Sequence, residues 1–179
     1  KGQLKMDNAS ANIPEIVSYT TYYHSPVGLL KISGTENYIS EVSFFDKVQK
    51  TEGRKKNLPP LIIQCLEQLI QYFQGERRVF ELPIHQPGTP FQQEVWNELM
   101  TIPYGKTISY LELARKTGDS KATRAVANAN GKNNVAIIVP CHRVIGSNRE
   151  LVGYGGGLWR KKWLLELEAK VAHGVQTLF

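Results

Sequence analysis

With 179 residues, 41% hydrophobic and 9% aromatic, the chain has the composition of an ordinary globular protein, enough for one domain or two small ones, and shows neither a signal peptide nor a membrane span. Two cysteines, Cys65 and Cys141, with no C-x-x-C pattern, exclude a disulfide scaffold and a zinc site and point to a reducing cytosol or nucleus. The net charge of +6 is uneven: residues 1–89 hold ten Lys/Arg against nine Asp/Glu, residues 90–179 twelve against seven, which favours a polyanion such as nucleic acid as partner of the second half, a merely soluble basic surface being the other reading.

Lys1 to Lys5 precede Met6 and are given no structural role. Val17, Tyr19, Thr21 and Tyr23 alternate, His24-Ser25-Pro26-Val27-Gly28 supplies turn chemistry, Leu30 and Ile32 continue, and Gly34 to Asn37 turns into Tyr38 to Phe45. This predicts a three-stranded antiparallel meander over residues 16–45. Residues 46–59 are polar, with Arg54-Lys55-Lys56, and read as an exposed loop. Ile62, Cys65, Leu66, Leu69 and Phe73 fall at helical spacing before Gly75, which predicts a helix with Cys65 as a packing residue. His24 and His85 lack metal-ligand spacing and read as structural or exposed. Leu82 to Pro90, with Pro83, Pro87, Gly88 and Pro90, is the natural linker and divides residues 1–86 from 87–179.

In the second unit Thr89 caps a helix with Pro90 at its first position, and Phe91, Val95 and Leu99 share one face up to Pro103. After the Tyr104-Gly105 turn, Ser109-x-x-Glu112 is a capping-box pattern for a short helix stopping at Gly118. Ser120 then caps a helix running to about Asn130, which completes a helix-turn-helix. On this second helix Ala122, Ala125, Val126 and Ala129 face inward, while Lys121, Arg124 and Asn128 share another face with Thr123 and Ala127 between. A recognition helix usually carries several long polar side chains; this small surface with one long cation suits a narrow groove, with Arg124 as a probe able to enter the base stack. Close helix packing would explain the alanines equally.

Val135 to Val139 is an apolar run short enough for a buried strand but ambiguous by periodicity, and Pro140 denies the following turn a backbone donor. Cys141 therefore sits at the mouth of the core, with His142 and Arg143 offering the base and positive charge that a thiol of pKa about 8.5 needs at neutral pH. A lone Cys-His pair also reads as a buried hydrophobe beside a satisfied histidine. Gly146, Gly153 and Gly155-Gly156-Gly157 surround Tyr154, so backbone can approach a ligand and Tyr154 offers a flat face, although a surface loop looks similar. The last helix, Leu158 to about Ala172, buries Leu164, Leu167 and Val171, and Glu168 shares that face; a carboxylate there needs a partner, and His142 is the expected one.

Over residues 90–179 the chain resembles the O6-alkylguanine-DNA alkyltransferases, or methylated-DNA:protein-cysteine methyltransferases, through Thr89-Pro90-Phe91-Gln92, Pro103-Tyr104-Gly105, Ser109-Tyr110, Arg124-Ala125-Val126, Asn133, Pro140-Cys141-His142-Arg143-Val144, Gly153-Tyr154-Gly155-Gly156-Gly157 and Trp163-Leu164-Leu165-x-x-Glu168. Residues 16–86 resemble it only by strand pattern and Ser25-Pro26-Val27-Gly28. The resemblance implies single-turnover repair of O6-alkylguanine in double-stranded DNA, bound through the minor groove with the target base flipped out, with O4-alkylthymine activity left open. It implies Cys141 as alkyl acceptor, His142 as the base acting through a water, and Glu168 as the orienting carboxylate. Tyr110 would rotate the nucleotide and donate to the base, Arg124 would fill the vacated space, and Asn133 would brace the segment leading to Cys141. Val144, Tyr154 and Gly156 would shape the guanine pocket, Thr123 and Ala127 would face DNA, and Gln92 and Ser147 would touch phosphates.

The zinc-binding set of some animal members is incomplete here, so no metal or other cofactor is expected, and lesion-binding relatives carry tryptophan where this chain has Cys141. No further domain with clustered cysteines suggests the larger adaptive-response regulators. The expected fold is α/β in two parts: a small antiparallel sheet with a helix, ribonuclease-H-like by resemblance, and a helical helix-turn-helix, winged-helix-like unit. A monomer in the cytoplasm, or in the nucleus of a eukaryote, is expected. Two other readings stand: a non-enzymatic helix-turn-helix DNA binder, which leaves Glu168 unexplained, and a cysteine hydrolase, which leaves Arg124 and the basic half unexplained.

Overall fold

The computed structural model describes residues 13–47 and 57–174; Lys1 to Lys5 and most of the basic loop, including Arg54-Lys55-Lys56, lie outside the described residues. Three strands, β1 (Tyr19–Ser25), β2 (Gly28–Gly34) and β3 (Ile39–Phe44), form an antiparallel meander in the order β1-β2-β3. The β1–β2 turn is tight because Ser25 Oγ accepts from Val27 N–H and donates to the Gly28 carbonyl. Leu30, Ile32, Ile39 and Val42 bury one face of this sheet in the same core as Ile62, Cys65 and Leu69 of helix α1 (Pro60–Phe73). Each such side chain contributes about 1.5–3 kcal/mol on burial, which holds the sheet against the amphipathic helix within a core that extends into the second half of the chain.

The Pro-rich stretch is less free than its composition suggests. Ile84 pairs in parallel with Ile39 at the open edge of β3, through Ile39 N–H to Pro83 O at 2.8 Å and His85 N–H to Ile39 O at 3.0 Å. Lower on the same edge Val135 pairs with Val42. An open edge exposes a row of unpaired donors and acceptors, and here segments on either side of the second unit's helices cover it.

Helix α2 (Pro90–Leu99) has Pro90 at its first position and a complete capping box: Thr89 Oγ1 accepts from Gln92 N–H and Gln92 Oε1 accepts from Thr89 N–H. Two-residue strand β4 (Ile108–Ser109) leads into helix α3 (Tyr110–Lys116), whose first turn is held by Ser109 Oγ accepting from Glu112 N–H. The next helix departs from expectation at its start. Asp119, not Ser120, is the cap, accepting from Lys121 N–H, and Ser120–Ala122 form a 3-10 turn before helix α4 (Thr123–Gly131) begins. Val126, Ala129 and Asn130 form the buried face of α4 and Ala122 is half-buried in the 3-10 turn, but Ala125 lies at the edge of that face and is exposed instead of inward. Trp96 Nε1–H donates to Ala129 O at 2.9 Å and locks α2 to α4. Strand β5 (Val144–Ile145) pairs in parallel with β4, and helix α5 (Leu158–His173) closes the chain against the segment that carries Cys141.

Candidate active site

Residues Val135 to Val139 are all buried, but after the single bridge at Val135 they close a turn instead of continuing a strand. Val139 N–H donates to Val135 O at 3.0 Å and Ile137 is left at φ 71°, a conformation that costs a β-branched residue on the order of 1–3 kcal/mol. The turn is held by Asn133, whose Oδ1 accepts from Val135 N–H at 3.0 Å and whose Nδ2 donates to Val139 O at 2.9 Å. Gln86, from the middle of the Pro-rich stretch, donates in turn to Asn133 Oδ1 at 2.9 Å. Pro140 then precedes a one-turn 3-10 helix, Cys141–Arg143, which places three chemically active side chains in succession.

Cys141 is 7% exposed, and His142 and Glu168 are 0% and 1% exposed. His142 Nε2 lies 2.5 Å from Glu168 Oε2, while His142 Nδ1 has no partner among the described residues. Glu168 also accepts from Tyr72 OH at 2.7 Å, from Arg143 Nε at 2.7 Å and from Gly105 N–H at 3.2 Å. That last bond requires glycine, since Gly105 has φ +75° and a Cβ there would lie 2.6 Å from Ala172 Cβ.

Burial acts to raise the Glu168 pKa, but His142 and Arg143 outweigh it and hold it at about 2. For His142 burial pushes the pKa below 6.5 against the pull of Glu168, with Arg143 and Lys161 adding to the lowering. The imidazole is therefore neutral near pH 7, and the permanent guanidinium of Arg143 is the charge that keeps Glu168 ionised. Burial raises the Cys141 pKa, opposed by the Asn133 amide, by Lys161 and by the backbone N–H groups of Cys141 and His142. A protonated thiol thus rests close in sequence to a neutral imidazole whose Nε2 is held by a carboxylate.

Cys141 opens onto a cavity of about 200 Å³ lined also by Asn133, Tyr154, Gly156, Asn130 and Phe44. An outer groove of about 630 Å³ adjoins it across Asn130, Gly131 and Gly153 to Gly155, and is lined by Tyr110, Thr123, Arg124 and Ala127. Ten of the expected site residues thus lie in the Cys141–His142 turn and its Glu168 partner or line the two adjoining spaces. Three behave differently. Val144 is fully buried and lines neither space, its carbonyl accepting from Lys161 Nζ at 2.6 Å. Gln92 is engaged in the α2 cap, and Ser147 is exposed in the turn beyond β5.

Other side chains carry weight that nothing in the sequence singles out. The cation acting on the Cys141 thiol is Lys161, not Arg143, which turns away to Glu168 and to Ile102 O at 2.8 Å. Lys161 is fully buried among the carbonyls of Val144, Val152 and Gly153, and burial lowers its pKa to about 8. Phe44 of β3 meets Tyr154 edge-on at 5.8 Å and packs so closely on Gly156 that a Cβ there would lie 2.4 Å from the ring. Lys161 lies on the same face of α5 as Leu164, Leu165 and Glu168, whereas Tyr72 and Phe44 are ordinary apolar positions of their own elements.

Residues 90–170 match the family described as 6-O-methylguanine DNA methyltransferase, DNA binding domain, and residues 18–86 match its ribonuclease-like domain. The chain belongs to the methylated-DNA–protein-cysteine methyltransferases. It is 43% identical over 166 residues to the methyltransferase of that name from Mycolicibacterium paratuberculosis, covering 92% of this chain and 99% of the relative. The constitutive Bacillus subtilis protein is 42% identical over 161 residues, covering 85% and 96%. A crystal structure of Mycobacterium tuberculosis O6-methylguanine methyltransferase superposes with a TM-score of 0.77 at 41% identity, over 89% of this chain and 97% of the other. That organism's OGT in complex with DNA gives 0.75 at 43% identity, over 84% and 92%. The activity is DNA repair by alkyl transfer to a cysteine, and the non-enzymatic reading is not favoured. Among the described residues no helix is long and apolar enough to cross a membrane.

Proposed function

We propose that Cys141 is the alkyl acceptor and that it repairs O6-alkylguanine in double-stranded DNA once per molecule. The carrying observation is the sequestered sulfur on a cavity, with the His142–Glu168 pair beside it in the same 3-10 turn and last helix. Sγ forms a bond to the alkyl carbon as the carbon–O6 bond breaks; the thiol proton passes through a water to His142, and the departing guanine takes a proton with Tyr110 as donor. Asn133 braces the turn before Cys141, and Tyr154 and Gly156 wall the base site, with Val144 fixing that wall from behind. Intact-mass measurement after mixing with a duplex carrying one O6-methylguanine tests this, with one methyl group per chain expected and none counting against it.

The base reaches the cavity by leaving the duplex, because its O6 substituent cannot be attacked within the stack. The outer groove is the route, with Thr123 and Ala127 lying close along the minor groove, Arg124 filling the space the base leaves, and Gln92 and Ser147 as outlying phosphate contacts. In this reading residues 87–179 bind DNA and transfer the alkyl group, residues 1–86 support them, and the protein acts as a monomer in the cytoplasm or, in a eukaryote, the nucleus. Arg124→Ala should slow repair of duplex DNA about tenfold or more while changing reaction with free alkylated guanine little; equal losses on both would count against stack filling.

The single-turnover rate should also depend on pH with a definite sign. A neutral His142 is needed to accept the proton, and its pKa lies below 6.5, so the rate should hold from neutral pH down past 6.5 and fall only at lower pH. Stopped-time mass spectra across pH 4.5–8 check this; a midpoint above 6.5 would contradict it.

A further inference from the structure

We infer that Tyr72 is a positioning residue for the alkyl transfer, its hydroxyl donating to the same Glu168 oxygen that holds His142 and so limiting how strongly the acid draws on the imidazole. The inference rests on the alkyl-transfer reading above and adds to it a group from the first part of the chain, 96 positions before the acid. Tyr72 is fully buried near the end of α1, its ring meeting Phe80 at 5.6 Å and Tyr104 at 6.2 Å. Its hydroxyl lies 2.7 Å from Glu168 Oε2, the oxygen paired with His142 Nε2, whereas Arg143 Nε and Gly105 N–H both reach Oε1. One oxygen is therefore anchored, and the other is shared between a phenol and the base. Burial, with the carboxylate adding to it, pushes the Tyr72 pKa well above 10, so the hydroxyl keeps its proton and acts as a donor.

A neutral imidazole whose Nε2–H points to a carboxylate has Nδ1 as its acceptor, and Nδ1 is the atom without a partner among the described residues. When that atom takes the thiol proton the ring becomes cationic, and the charge left on Oε2 decides how well the cation is stabilised. A hydrogen bond donated to a carboxylate spreads that charge and weakens its pull on a neighbouring cation. Without the Tyr72 hydroxyl, Oε2 pulls harder, His142 is protonated at a higher pH, and less of it remains as free base in mildly acidic solution. The other charged or titratable groups facing the pair are Arg143 and Cys141 of the same turn, Lys161 of α5, Tyr154, and Tyr104 with Arg78 against its ring. Removing one hydroxyl leaves all of them in place.

Tyr72→Phe keeps the ring and removes only the hydroxyl. Two measurements compare it with the parent chain across pH 4.5–8: the single-turnover methylation rate with saturating O6-methylguanine duplex, and the imidazole nitrogen NMR shifts of His142 in the free protein. The midpoints of the rate profile and of the His142 titration should both rise by about half a pH unit or more, with the rates at pH 8 within about twofold of each other. A rate that falls by the same factor at every pH is the mark of a merely structural role and overturns the assignment, as does an unchanged His142 titration. 3-Fluorotyrosine placed at position 72 keeps the hydroxyl as a stronger donor and should lower both midpoints, a comparison that stands even where Tyr72→Phe fails to fold; no change there, or a rise, also overturns it. Failure of the alkyl-transfer reading looks different: no chain gains a methyl group while the His142 titration still moves, and the role in transfer falls with that reading.

Discussion

Cys141→Ser, mixed with a duplex carrying one O6-methylguanine, should gain no methyl group, while the parent chain gains one and then stops. The substitution leaves nearly the same shape in a 7%-exposed position, so folding is not what it tests. A thiol loses its proton some orders of magnitude more readily than an alcohol, and the neutral His142 is matched to the former. Removing a nucleophile of this kind costs on the order of 10⁴-fold or more in rate, beyond detection in a single-turnover assay. Cys65 is the internal control. It is fully buried in α1, and burial pushes its thiol up to about 12, so it should stay unmodified in both proteins. A methyl group on Cys65, or on the serine variant, would overturn the assignment of Cys141.

Glu168→Ala should be nearly as damaging, and to the fold as well as the reaction. The carboxylate satisfies four donors at once, two of them on buried side chains that neighbour each other in sequence. Truncation leaves the Arg143 guanidinium charged and unpaired, and breaking a buried pair in this way costs about 3–5 kcal/mol. For a chain of this size that is about 6–20 °C in Tm. The pH dependence has a fixed sign. A carboxylate held at about 2 in the folded state, against an ordinary value of 4.5, gives stability that is complete above about pH 4.5 and is lost as pH falls through about 2. Denaturant titrations at pH 7 and pH 3 should show that loss in the parent and little of it in Glu168→Gln, which has no charge to protonate. Unchanged Tm in Glu168→Ala would show that Arg143 finds another partner.

Local features were the legible ones. The Thr89–Gln92 cap, the Ser109 cap and the sheet's alternation depend on residues within a few positions of each other, and the structure has all three. Glu168 could be read because a carboxylate on an apolar face advertises a partner, and the structure sets it against His142. Ser120 was misread because the 3-10 turn starts one residue earlier than an α-helix cap would, with Asp119 as the cap, and Ala125 because the buried face of α4 centres on Val126, Ala129 and Asn130 and leaves it at the edge. The run before Cys141 has a strand's composition but is bent by Asn133, whose amide competes with sheet pairing. Tyr72, Phe44 and Gln86 stayed invisible because their partners lie far off in sequence, 96 positions away for the Tyr72–Glu168 bond.

That bond has a consequence for how the molecule is wired. Tyr72 belongs to α1, and its hydroxyl completes the set of donors around a carboxylate on the last helix. Detached, residues 87–179 would keep sulfur, imidazole and acid but present the acid one donor short, with Val135 deprived of the strand it leans on. The hydrogen bonding of the acid is therefore drawn from both parts of the chain, and the helix that backs the sheet also touches the carboxylate behind the imidazole.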